Sequence, residues 1–426
     1  MRVLFAAIAA WAVGCALASA PVRAEDLLTL DAAFARVDQA HPALRVFDGR
    51  RAIAAAEIDR AALRPPLTVG AEIENVAGSG DASGVENAEV TLTLASVLER
   101  GGKLEARRVL AERRLDALAV QRETQRLDLL ADVARRYLAA VAARRQQAVA
   151  ELDIGQRRRT VAAARRRLQA GASPESVVLT AEAALARAEL ALAAAVRQEA
   201  SARQHLAALW GERDPAWRTA DADPTALPDI ATFTELGEWL ARTPELQQFA
   251  GEQRIREARL QLARTQATAD LDWQVGVRRL GDNGDVGLVG SVALPLGGAA
   301  RAQPDIRQAE LELASLEIER EAQTLSLYST LAEAHGRYLT AQLEARRLAA
   351  DVLPRLARAE AAAERAYRAG AVSYLEWAQL QSERTSALRQ RLDAAIDAQR
   401  ALIEIQRLTG QPFVTAPAAA PNGDTP

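Results

Sequence analysis

Three histidines, one cysteine and a Gly-Gly-Lys triplet are the residues from which chemistry would have to be built. His41, His205 and His335 stand far apart along the chain and show none of the short ligand spacings of a zinc site. One methionine and one cysteine, Cys15, give no soft-metal cluster. Gly101-Gly102-Lys103 lacks the upstream glycine and the following Ser or Thr of a phosphate-binding loop. No Ser–His–Asp set and no paired carboxylates stand out. The sequence predicts no catalytic residue, no cofactor-binding residue and no metal site. It predicts a passive protein and not an enzyme.

The ends of the chain say where it works. Arg2 precedes an apolar run over residues 3–18, and Val22-Arg23-Ala24 fits a small-x-small cleavage site before Glu25. Residues 1–24 therefore read as a secretory signal peptide. An ordinary buried helix would leave the sudden change at Glu25-Asp26 unexplained. Ala12-Val13-Gly14-Cys15 also resembles a weak lipobox, in which Cys15 would become a lipidated first residue. On either reading the mature chain has no disulfide. No later stretch is apolar over the 20 or so residues a membrane helix needs. Any membrane entry must be through strands.

Composition then bounds the body of the protein. The 53 Lys+Arg less Arg2 and Arg23 leave 51, against 56 Asp+Glu, and so near-neutral a balance gives no nucleic-acid footprint. Aromatics are only 4%, and Ala, Arg, Glu, Leu and Gln dominate. That composition suits long helices with thin apolar seams. Two tracts, near 102–170 and 299–369, read as helices of about 100 Å each at the standard rise per residue. In the first, Leu127, Leu130, Ala134, Tyr137 and Val141 step by three and four, a seam that needs a partner along its length. A free-standing coiled-coil rod is compatible with the same periodicity.

The chain repeats itself. His41-Pro42-Ala43-Leu44 is echoed by Thr243-Pro244-Glu245-Leu246, and Gly101-Gly102 by Gly297-Gly298. Gln169-Ala170-Gly171-Ala172 is echoed by Arg368-Ala369-Gly370-Ala371, and Leu209-Trp210-Gly211 by Leu408-Thr409-Gly410. The offsets run from 196 to 202 residues. Gly155 and Pro354, both helix-weakening, each lie 16 residues before a tip glycine, which predicts a bend or bulge at matched places. The expected organisation is a first repeat over 25–210, a Pro- and Asp-rich linker over 211–232, a second repeat over 233–410 and a disordered tail over 411–426.

Each repeat also carries two strands of strict period two, expected at 66–75 and 88–97, then at 271–280 and 286–296. Leu67, Val69, Ala71 and Ile73 alternate with Thr68, Gly70, Glu72 and Glu74, while Leu271, Trp273, Val275 and Val277 alternate with Asp272, Gln274, Gly276 and Arg278. One face is apolar and one polar. The connections 75–87 and 281–285 are polar and Gly-rich. Such runs suit strands crossing a bilayer at a tilt, or a small soluble sheet with its apolar face on a helix. In a membrane, four strands could not close a barrel, so several chains would have to share one.

"LTLDAAFARVDQAHPAL" after the signal peptide resembles the opening motif of the TolC-like outer-membrane efflux family. "RRLQAGASPESVVLTAEAALARAEL" and "ERAYRAGAVSYLEWAQLQSERTSAL" resemble its two helix-hairpin tips, and the doubled order of elements is similar to that family over 25–412. The resemblance implies a mainly α fold with a membrane β part. Two structural repeats would give a long α-helical barrel, with four strands per chain contributed to a trimeric 12-stranded outer-membrane β-barrel. It implies an exit duct of the outer membrane reaching into the periplasm. The implied partners are two sister chains (a homotrimer), a periplasmic adaptor (membrane fusion protein), an inner-membrane resistance-nodulation-division pump and outer-membrane lipid.

Within that picture the tips, near 171 and 370, form the periplasmic gate and adaptor contact: Gly171, Ala172, Ser173 and Pro174 in the first, Gly370, Ala371, Val372 and Ser373 in the second. Gly171 and Gly370 can take φ > 0 and end their helices; Ser173 with Pro174, and Ser373, can start the returning ones. Alignment on Gly370 puts Glu376, with Gln379 one turn later, at the family's acidic pore constriction. A three-fold Glu376 ring would favour cations; an ordinary solvated glutamate is the plainer reading. Tyr367 resembles the tyrosine that holds the closed tip. Its expected acidic partner is replaced by Val177, and the expected basic residue by Val372, which points to Glu175 or Arg368 for the closing network. The subfamily likeness favours heavy-metal cations as cargo, with multidrug efflux or type I secretion as alternatives. A periplasmic adaptor or coiled-coil scaffold is the alternative class, but an adaptor would carry one hairpin flanked by two halves of a β-domain.

Overall fold

The structure is a computed structural model and describes residues 27–281 and 284–413. The signal segment, Cys15, Asp282 and Asn283 of the hairpin turn, and the tail from 414 onward lie outside the described residues.

A short strand β1 (Leu27–Leu28) leads into α1 (Leu30–Ala40) and α2 (Pro42–Ala61). Thr29 caps α1 through its side chain. His41 caps α2, its Nδ1 accepting the Ala43 N–H at 3.1 Å, and Pro42 opens that helix where no N–H is needed. Strands β2 (Thr68–Glu74) and β3 (Glu89–Leu98) follow, joined by a loop holding a 3₁₀ turn at Gly80–Ala82. Then α3 (Lys103–Gln169) runs unbroken for 67 residues, about 100 Å at the helical rise. It passes Gly155 without interruption. Glycine keeps its N–H, so it weakens the helix without breaking the hydrogen-bond ladder. The return helix α4 (Glu175–Ala207) packs along it.

Past a 3₁₀ turn at Ala208–Trp210, the chain forms β4 (Arg218–Thr219), parallel to β1. The connecting stretch is no free tether. The indoles of Trp210 and Trp217 donate to Glu212 at 2.7 and 3.0 Å, Arg145 grips the Ala222 carbonyl, and Gln342 the Pro228 carbonyl.

The pattern then recurs. Helix α5 (Phe233–Leu240), opened by a Thr232/Glu235 capping box, is followed by α6 (Pro244–Thr265), β5 (Leu271–Arg279) and β6 (Val286–Ala293). Strand β6 stops before Pro295, which has no N–H to give to a ladder. The second long tract is not one α-helix. It is α7 (Gly298–Arg347), a π turn at Leu348–Val352, and α8 (Leu353–Ala369). The Leu353 N–H reaches back five residues to the Leu348 carbonyl, so the widened turn precedes Pro354 and absorbs its missing donor. Matched breakers thus give unmatched outcomes. Helix α9 (Tyr374–Thr409) returns along α7 and α3.

The four membrane-type strands form a single antiparallel sheet in the order β2-β3-β5-β6. Its central pairing, β3 with β5, joins the two repeats over nine register positions. Across it run rows such as Val69–Leu94–Val275–Gly290 and Ala71–Leu92–Val277–Leu288 on one face. Glu72–Thr91–Arg278–Gly287 lies on the other. Among the described residues no helix covers the apolar face: Val69 is 78% exposed, Val292 68% and Leu288 89%. The reading of a soluble sheet buried on a helix is thereby excluded for this chain. Strands β2 and β6 are edges with nothing paired to their outer sides among the described residues.

Burial concentrates where helices meet. Leu28, Leu30, Val37, Tyr137 and Leu206 form a core where α1 and the C-terminal end of α4 meet the middle of α3. A second core joins Leu236 and Leu240 to Leu331, Tyr338 and Leu408. A third, around Tyr367 and Trp377, lies at the tips.

Candidate functional site

The two tips have the same backbone chemistry. At the first, the Gly171 N–H bonds to the Leu168 carbonyl and the Ala172 N–H to that of Arg167. At the second, Gly370 bonds to Tyr367 and Ala371 to Ala366. Gly171 (φ 68°) and Gly370 (φ 83°) hold the left-handed conformation that lets each helix end this way. The returning helices start differently. Ser373 accepts the Glu376 N–H at 3.2 Å and caps α9. Ser173 caps nothing: Pro174 is the N-cap of α4 and lends no side-chain bond. The capping role expected of Ser173 is corrected accordingly. An N-cap proline fixes the chain's entry angle through its ring instead.

Tyr367 is buried, 2% exposed, with its ring 5.2 Å from that of Trp377 and inclined by 34°. Its partner across the tips is Arg167 of α3. The Arg167 Nη1 donates to the Tyr367 carbonyl at 2.7 Å, and Nη2 to the Ala172 carbonyl at 3.3 Å. The guanidinium carbon lies 4.9 Å from the Tyr367 ring centroid, a cation–π stack. One arginine thus joins both tip turns. Within the chain, neither Glu175 nor Arg368 makes this contact. Arg368 pairs with Glu364 on its own helix, and Glu175 is exposed in the first turn of α4. The Tyr367 hydroxyl and the Trp377 indole N–H make no hydrogen bond among the described residues.

Glu376 and Gln379 sit elsewhere, exposed on α9 one turn apart. Glu376 lies in the first turn, where the helix dipole favours a carboxylate. Gln379 donates to Glu383 at 3.0 Å. The structure therefore does not bring Tyr367 together with Glu376 and Gln379: the tyrosine faces inward, the other two outward. Ala172, Ala371 and Pro174 are exposed at the turns, and Val372 is half-buried against the tip core.

Above the tips runs a polar seam that sequence reasoning missed. Thr160 of α3 donates to Gln381 of α9 at 3.0 Å, and Thr385 of α9 to Asp153 of α3 at 3.2 Å. Arg157 bonds both Asp153 (3.1 Å) and Ser382 (3.1 Å). Glu360 of α8, buried, pairs with Arg384 of α9 at 2.6 Å. These bonds tie α3 and α8 to α9 above the tips. Among the described residues no three His, Cys, Asp or Glu side chains cluster as metal ligands. At the tips the Arg167 side chain contacts both turns.

Known proteins agree with this architecture. The profile of the outer membrane efflux protein family matches residues 46–212. The chain is 29% identical over 280 residues to the cobalt-zinc-cadmium resistance protein CzcC of Cupriavidus metallidurans, a span covering 66% of this chain and 67% of that one. Residues 46–212 thus carry the profile of outer membrane efflux proteins, and the likeness to CzcC extends beyond them. Among solved structures, a membrane protein from Pseudomonas aeruginosa superposes with a TM-score of 0.74 at 21% identity, covering 89% of this chain and 90% of that one. CusC, whose crystal structures concern folding and transmembrane channel formation, gives 0.74 at 17%, covering 89% and 91%. At such identities the likeness is one of fold: the chain shares their architecture, a long helical part with a four-stranded β part.

Proposed function

We propose that three copies of this chain form one channel, each giving four strands to a 12-stranded barrel in the outer membrane. The observation that carries the proposal is the single open sheet with a bare apolar face and two unpaired edges. In hydrocarbon each unpaired backbone group costs several kcal/mol, so the edges must meet other strands. Partner copies are the simplest source. The apolar rows face lipid and the polar rows a water-filled lumen.

The helices continue the conduit across the periplasm. At about 100 Å, α3 has the length that role asks for. An inner-membrane pump of the resistance-nodulation-division class would deliver cargo, and a periplasmic adaptor would dock at the tips around Gly171–Pro174 and Gly370–Ser373. The energy comes from the pump; this chain conducts without catalysis. Exposed Glu376 carboxylates, repeated three-fold near the closed end, would favour cations.

Heavy-metal cations are the proposed cargo, supported by the likeness to CzcC over two thirds of either chain. A deletion strain tests this directly. It should lose tolerance to cobalt, zinc or cadmium and regain it with the plasmid-borne gene. Loss of tolerance to drugs alone would move the cargo assignment to multidrug efflux.

A further inference from the structure

Of the 53 basic residues in the chain, Lys103 is the one lysine; all the others are arginine. It sits at the first position of α3, where the helix dipole disfavours a cation, and it is only 6% exposed. Something specific must hold it there. Its Nζ lies 2.8 Å from Oδ2 of Asp270, the residue just ahead of β5. The other oxygen of that carboxylate, Oδ1, accepts the backbone N–H of Arg100 at 3.1 Å. Asp270 of the second repeat therefore grips both sides of the glycine pair where the first repeat turns from sheet to helix.

The turn itself has little slack. Gly101 and Gly102 both hold positive φ, and a Cβ on Gly101 would meet the Thr268 side chain at 2.6 Å. Beside it, Glu99 pairs with Arg107, whose Nη2 also reaches the Leu63 carbonyl at 3.4 Å. At the opposite end of the same β3–β5 seam, Arg278 bonds Thr91 (2.9 Å), Glu89 (3.3 Å) and Glu74 (2.5 Å). The corresponding joint of the second repeat, Gly297-Gly298, is followed by Ala299 and carries no such ion pair among the described residues.

The choice of lysine follows from the acceptor. An arginine pairs best through two parallel bonds to both carboxylate oxygens. Here Oδ1 already accepts the Arg100 amide, so an ammonium on Oδ2 completes the carboxylate with one bond per oxygen, whereas a planar fork would have to share Oδ1 with that amide. We propose that Lys103 is a positioning residue that locks the sheet–helix joint. Through Asp270 it fixes the register of the inter-repeat strand pair and the angle between membrane sheet and long helices. A one-residue slip of that pair would turn every side chain to the wrong face.

The consequence for a shared barrel rests on the proposed function; the lock itself does not. The test uses the full-length protein in outer-membrane preparations. A membrane-impermeant acetylating ester is applied to folded and to denatured samples. Acetylation of Lys103 is then read by mass spectrometry after cleavage at arginine. Folded wild type should react about tenfold less than denatured protein, as a buried group does. Asp270→Asn, which keeps the acceptor for the Arg100 amide, should raise the folded reactivity severalfold. Lys103→Arg should lose the heat resistance of the assembly as fully as Lys103→Met. Equal reactivity in folded and denatured wild type, no rise in Asp270→Asn, or a Lys103→Arg assembly as heat-resistant as wild type would each overturn the lock. If Lys103→Arg never reaches the membrane, the Asp270→Asn labelling decides. A wild type that forms no assembly while Lys103 stays protected would instead count against the shared barrel and leave the lock standing.

Discussion

The guanidinium of Arg167 lies 4.9 Å from the Tyr367 ring and donates to the Tyr367 carbonyl at 2.7 Å, tying the first helical hairpin to the second at their tips. The two residues are 200 apart in sequence. If the tips open to pass cargo, this contact must break or move with both helices.

Substituting Arg167 therefore loosens the tip. A charge-assisted hydrogen bond and a cation–π stack together contribute about 2–4 kcal/mol. Arg167→Ala should raise the open fraction, seen as higher conductance in planar bilayers and greater entry of large antibiotics into cells. Arg167→Lys keeps the charge but loses the planar stack, so it should fall between. Wild-type conductance in Arg167→Ala would reject the latch.

Glu376 is exposed in the first turn of α9 and has no side-chain partner among the described residues. Glu376→Gln should lower the preference for cations over anions in reversal-potential measurements, with little change in stability. A preference identical to wild type would remove the carboxylate ring.

The two faces of the sheet should differ sharply in their tolerance of charge. Val275 lies at the middle of β5 on the apolar face, and Gln274 beside it on the polar face. An arginine facing lipid at mid-bilayer costs about 2–4 kcal/mol, and one facing a lumen much less. Val275→Arg should cut the yield of folded protein in the outer membrane, and Gln274→Arg should not. Equal yields would mean the faces are misassigned.

His41 gives a pH dependence with a definite sign. Burial, helped by the nearby Arg136 charge, pushes its imidazole below the usual 6.5. Its Nδ1 must stay unprotonated to accept the Ala43 N–H. The neutral form is thus favoured in the folded state. Its stabilisation is complete above the unfolded value and is lost as pH falls through the lower folded one. Thermal melts from pH 7.5 down to 5 should show wild type losing stability relative to His41→Asn, which keeps a capping oxygen and does not titrate. Parallel melting curves for the two proteins would contradict this role.

What could be read from sequence was whatever is local. Strand alternation is a period-two property of neighbours, so Val69–Ala71–Ile73 and Trp273–Val275–Val277 declared a two-faced sheet without any knowledge of partners. The tip glycines 171 and 370 marked helix ends for the same reason. Partnerships across the repeats were not legible. Arg167 is one arginine in a run of three, and nothing nearby says it will reach Tyr367. Gly155 and Pro354 looked equivalent because both weaken helices; only proline removes a donor, and only there did the helix widen into a π turn. Lys103 was visible as part of Gly-Gly-Lys, but its meaning came from Asp270, which the fold alone delivers.

The central claim is that the β2 and β6 edges are completed by other copies of the chain. Ala71 of β2 and Leu288 of β6 stand in one row across the sheet, three strand spacings apart, or about 14 Å at about 4.8 Å each. A cysteine at 71 combined in turn with a cysteine at each position of β6 can be treated in membranes with a linker too short for that gap. The account predicts covalent dimers and trimers at one register of the pair. Linkage found only within single chains, with no higher species at any register, would contradict it.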